Sequence, residues 1–60
     1  MMSLKQAALA LRTARSRLDH AMCEAERAAL VAINGGMTEV EVAKQLGVNR
    51  MTVRRWQGKL

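Results

Sequence analysis

Two patterns of apolar positions divide this chain. Leu4, Leu11, Leu18, Ala25 and Ala32 recur every seven residues, and Ala7, Ala14, Ala21 and Ala28 follow three after each of the first four. A heptad with a second apolar position three on is a continuous stripe along an α-helix. Ser3 stands where a helix needs a cap and Gly35-Gly36 where it must stop, with no Gly or Pro between them, so one helix is predicted over 3–34. At 1.5 Å per residue it is roughly 45 Å long, more than a small domain can cover. Only its last part, from Glu24, is expected to pack.

The second pattern runs from Thr38 to Trp56. Thr38 followed three residues later by Glu41 is a capping box, in which hydroxyl and carboxylate each satisfy an orphan amide at a helix start. Val42, Ala43 and Leu46 then fall on one face, and Gly47 supplies the left-handed residue that closes the helix. Asn49 caps a second helix, predicted over 49–58, with Val53 and Trp56 on its inner face and Arg50, Thr52, Arg54 and Arg55 outward. Ala43 is small because two helices crossing at a steep angle approach closely only over a tiny side chain. Leu30 and Ile33, with Ala29 beside them, are expected to close over Leu46, Val53 and Trp56. The core is thus three helices deep.

Composition agrees with an all-α fold. Among 60 residues there is no Pro, Phe or Tyr and one Trp, so a core must be made of Ala, Leu, Val, Ile and Met, and nothing suggests a sheet. So short a chain is marginal alone. It is expected to divide into residues 1–23, a helical extension for dimerisation, and residues 24–60, a tri-helical domain. In the extension the stripe Leu4, Ala7, Leu11, Ala14, Leu18, Ala21, Ala25, Ala28 is the expected dimer interface, since leucine opposite alanine lets two helices pack closely.

Net charge is +5, which favours an anionic partner. From Met37 onward Lys44, Arg50, Arg54, Arg55 and Lys59 outnumber Glu39 and Glu41. The two acids open the first short helix, where they favour its dipole and are expected to stand apart from the basic helix. Cys23 and His20 are single: they make no intrachain disulfide and no metal site, and Cys23 reads as a small buried hydrophobe in a reducing, cytoplasmic setting. His20, with no nucleophile or carboxylate constellation around it, reads as a solvated helix residue. No cofactor motif, metal set or catalytic signature is present, and the run Ala7–Leu11 is too short to span a bilayer.

The spacing of Ala43, Gly47, Val48 and Val53 resembles the DNA-binding helix-turn-helix of bacterial repressors. It is closer still to the tri-helical domain of resolvase and invertase recombinases and of transposases, over residues 24–58. The resemblance implies that the second motif helix enters the major groove of double-stranded DNA. Arg50, Met51 and Arg55 would then meet base edges, arginine suiting guanine and Met51 offering apolar contact to a thymine methyl. Thr38, Asn49, Thr52, Arg54, Lys44 and Lys59 would contact phosphates. The expected function is that of a small dimeric DNA-binding protein, a transcriptional regulator or accessory factor of bacterial or phage type. The alternatives are a protein interaction module and a sequence-tolerant architectural protein of the nucleoid.

Overall fold

The computed structural model describes residues 1–59; Leu60, the last residue of the expected domain, lies outside them. A single helix, α1, runs from Leu4 to Asn34. Ser3 caps it: the Gln6 amide donates to Ser3 Oγ at 3.1 Å, and the Ser3 amide donates to Gln6 Oε1 at 3.0 Å. This reciprocal box satisfies two amides that would otherwise be orphaned. At the far end Gly36 takes φ +105°, and the amides of Gly36 and Met37 donate back to the carbonyls of Ile33 and Ala32, both at 3.0 Å. Only a residue without Cβ adopts that backbone cheaply.

Two short helices follow, α2 over Glu39–Leu46 and α3 over Arg50–Trp56. The expected capping box at Thr38 is half formed. The Glu41 amide donates to Thr38 Oγ1 at 3.2 Å, but the Glu41 carboxylate turns along the helix and accepts from Gln45 Nε2 at 3.1 Å. Gly47 has the left-handed φ of +70° the turn requires, and Asn49 Oδ1 accepts from the Met51 amide at 2.8 Å. α3 ends at Trp56, two residues before the predicted 58. There the Gly58 and Lys59 amides fold back onto Arg55 and Arg54 carbonyls at 3.0 and 3.1 Å.

The core is small: Ala29 from α1, Val42 and Ala43 from α2, and Val53 from α3 are buried, with Ala32, Ile33, Val48 and Trp56 packed around them. Val53 is wholly enclosed. Each buried valine contributes about 1.5–3 kcal/mol, so few contacts hold the domain and each counts. The central α1 residue is Ala29, while Leu30 and Ile33 are only half-buried. Leu46, expected inside, is 38% exposed; it stands at the end of a two-turn helix, where the covering surface runs out. Cys23 is exposed, not the buried hydrophobe expected: in this turn Met22, Ala25 and Glu26 are the half-buried residues, and Cys23 lies beside that strip.

The first twenty-one residues are exposed throughout. Helix α1 makes the molecule 48 Å long and 21 by 15 Å across, so its N-terminal half projects as a bare rod. Among the described residues no helix is long and apolar enough to cross a membrane, and no cluster of His, Cys, Asp and Glu could hold a metal.

Candidate nucleic-acid interface

Four residues make just over one turn, so α3 presents its side chains in pairs. Val53 and Trp56 face the core. Arg50 and Arg54 share the side toward the start of α2, and Met51 and Arg55 share the next side, turned outward. Met51 is 49% exposed and Arg55 is exposed. Arg55 makes no ion pair among the described residues. Thr52, on the far flank, is half-buried.

The start of α2 holds the group that organises this surface. Glu39, its side chain only 15% exposed, lies against three cations: Lys59 Nζ at 3.2 Å from Oε2, and Arg54 Nη1 at 3.4 Å and Arg50 Nε at 3.7 Å from Oε1. Lys59 and Arg54 donate hydrogen bonds to it. The Lys59 hydrogen bond, reinforced by the charges of all three cations and opposed by partial desolvation, holds the Glu39 carboxyl below the usual carboxylate range. The position at the first residue of α2 adds the favourable field of the helix N-terminus.

This corrects the expectation that the acids stand apart from the basic helix. Glu41 does, but Glu39 joins α2, α3 and the residues after α3 at one point. A lone acid at a helix start reads in sequence as a dipole partner; its three cations lie 11, 15 and 20 residues on, and no local signal pairs them. The turn after Gly58 brings Lys59 back to it.

The candidate residues therefore fall into groups. Arg50, Arg54 and Lys59 are gathered on Glu39, with Arg50 57% and Lys59 52% exposed at the side chain and Arg54 less so at 34%. Met51 and Arg55 form a separate open face. Thr38 and Asn49 spend one oxygen each on capping, which leaves the Thr38 hydroxyl and the Asn49 amide nitrogen as donors. Lys44 is exposed in the last turn of α2. Along α1, Leu4, Ala7, Leu11, Ala14, Leu18, Ala21 and Ala28 are exposed, but Ala25 is half-buried. It lies one turn before Ala29, on the side of α1 that α2 and α3 cover.

No curated protein and no solved structure matches the chain. A family model described as a homeodomain-like domain matches residues 24–58, from the last third of α1 through the end of α3, the same span over which the core is built. A helix packed on a two-helix motif, with a glycine turn between its helices and an open basic face on the second, is the DNA-binding helix-turn-helix of transposase and resolvase type. Over these residues, more than half its length, the chain belongs to the homeodomain-like domain family.

Proposed function

We propose that this protein is a dimeric, site-specific DNA-binding factor, a regulator or accessory protein that reads the major groove with α3. One observation carries the reading: the outward side of α3 offers Arg55 and Met51 with no obligation to the fold, beside three cations held in place by Glu39. Arg55, and Arg50 at the first turn of α3, donate to guanine O6 and N7; Met51 meets a thymine methyl. Arg54, Lys59, Lys44, Thr52, Asn49 and the start of α2 at Thr38 contact the phosphates that fix register. The chain acts by binding, and catalysis is no part of the reading.

Dimerisation goes through α1. Leu4, Leu11 and Leu18 are 87%, 53% and 59% exposed, a stripe that one chain leaves in water. Two helices antiparallel about a dyad between Asp19 and His20 set Leu11 against Ala28 and Leu18 against Ala21. They also place the two tri-helical units, each centred about ten residues from the dyad, roughly 30 Å apart. That is close to the ~34 Å of one DNA turn, which lets two recognition helices use successive major grooves on one face.

Selection of bound duplexes from a random pool tests the reading. An enriched inverted repeat, with affinity falling steeply as salt rises, is the expected result. Recovery of unenriched DNA would replace site-specific reading with architectural binding. Absence of salt-sensitive binding would sink the DNA reading.

A further inference from the structure

Between α1 and α2 lies an open apolar cavity of about 170 Å³. One wall is Ala28, Ala29 and Ala32; the other is Met37, Val42 and Leu46, with Gln45 the one polar residue. A dry cavity of ~150 Å³ accommodates a benzene-sized group, so this one has room for a leucine side chain. Its rim keeps apolar groups in water: Ala28 is exposed, Met37 is 37% and Leu46 38% exposed. We infer that this cavity is the seat of Leu11 from a second copy of the chain, so that each protomer's N-terminal segment completes the other's helix-turn-helix domain. The inference rests on the antiparallel dimer proposed above.

Three observations select that occupant. The first is steric. The seam cannot continue unchanged past the dyad, because Ala25 and Ala32 are already half-buried by the chain's own domain while Ala21 and Ala28 stay open. A helix following the seam is therefore turned to the Ala28 side, where α2 forms a second wall and the cavity opens. The second is register. With the dyad between 19 and 20, paired positions sum to 39, so Leu11 comes level with Ala28 and Ala7 with Ala32, two of the three alanines that line the cavity. A leucine meets the mouth, and a small residue passes the crowded end by Met37.

The third is charge. Residues 1–18 carry Lys5, Arg12, Arg15 and Arg17 and no acid, and residues 19–26 carry Asp19, Glu24 and Glu26 and no Lys or Arg. The antiparallel overlap lays the basic segment on the acidic one, with Arg17 of one chain approaching Glu24 of the other on the same flank of the seam; a parallel overlap lays like on like. Arg12 comes level with Arg27, which its own chain already pairs with Glu24 at 3.9 Å. No other segment of the described chain offers an unspent leucine at that height.

The test mixes chains with ¹³C-labelled methyl groups and unlabelled chains and records isotope-filtered nuclear Overhauser contacts, with sedimentation equilibrium on the same sample. Within one chain Leu11 and Met37 are separated by about 30 Å of helix, so a contact between them is intermolecular. Cross-peaks from the Leu11 methyls to those of Met37 and Leu46 are expected, and Leu11→Ala, at an exposed position, is expected to lose them and weaken self-association at least tenfold. A dimer whose Leu11 contacts Ala28 without Met37 or Leu46 overturns the seat and leaves the antiparallel dimer standing. Contacts from Leu11 to Leu11 mean a parallel pair and overturn both, and a monomer at millimolar concentration removes the dimer itself.

Discussion

Leu11 and Ala29 lie on the same side of one helix, eighteen residues or about five turns apart. Ala29 is 2% exposed and Leu11 53%. Leu18 and Leu4, about three and seven turns before Ala29, repeat the contrast. The two halves of α1 thus share an apolar face, and they differ only in what covers it: α2 and α3 cover the second half, and nothing among the described residues covers the first. Burial in this protein is set by what lies opposite a residue more than by the residue itself. The larger side chains are outside, and the small ones are inside.

The contrast can be broken most sharply by placing a charge in each half. Val53→Asp puts an unpaired carboxylate in the enclosed centre of a domain whose whole stability is on the order of 3–9 kcal/mol, so the tri-helical part is expected to be unfolded at 25 °C. Leu11→Asp, measured on dilute protein, is expected to change stability by less than about 0.5 kcal/mol. Circular dichroism melts of the two variants check this, and equal losses would mean that the N-terminal half is packed within the monomer.

Trp56 sits at the boundary of the covered half. Because it is only half-buried against the core, Trp56→Ala is expected to cost about 3 kcal/mol, the lower end of the range for large aromatics. Tryptophan emission should lie between the buried and fully hydrated limits; a fully hydrated maximum in the folded protein would show that α3 turns the other way.

A smaller effect separates the two exposed sides of α3. On a preferred DNA site Arg55→Ala is expected to cost about 1–3 kcal/mol and to relax selectivity at one base pair, whereas Arg54→Ala should weaken all sequences alike. Competition binding against single-base variants of the selected site measures both, and the roles are reversed if Arg54→Ala alone changes sequence preference.

The smallest effect expected is a dependence on pH. The folded-state pKa of Glu39 lies below its unfolded value, so its pairing stabilises fully above the ordinary carboxylate range and is lost as pH falls through the lowered value. Melting temperature should therefore drop between pH 5 and pH 3 more in the parent than in Glu39→Gln. Parallel curves would assign the acid sensitivity to other carboxylates.

What could be read from the sequence was short-range. Ser3, Thr38, Gly47 and Asn49 act on amides and dihedrals within a few residues, and each serves the helix end it was assigned. The length of α1 is legible from Ser3 and Gly35-Gly36, because no Gly or Pro between them competes. Phase was harder to read where a helix has only two turns: Val42, Ala43 and Leu46 share a face in projection, yet the cover extends over two of them. Glu39 was illegible because its cations belong to another helix and to the turn beyond it. Lys59 could be placed near a carboxylate only once Gly58 was known to reverse the chain.

The absence of any Gly or Pro from α1 has a mechanical consequence. An uninterrupted helix transmits rotation as well as distance, so the azimuth of the recognition helix is locked to that of Leu11 and Leu18. One residue inserted near Asp19 turns the domain by about 100° relative to the seam, while seven nearly restore the phase and move the paired domains about 10 Å further apart. In a dimer built on that seam, α1 is a torsionally stiff ruler, and the spacing of half-sites that such insertions select reads out its length.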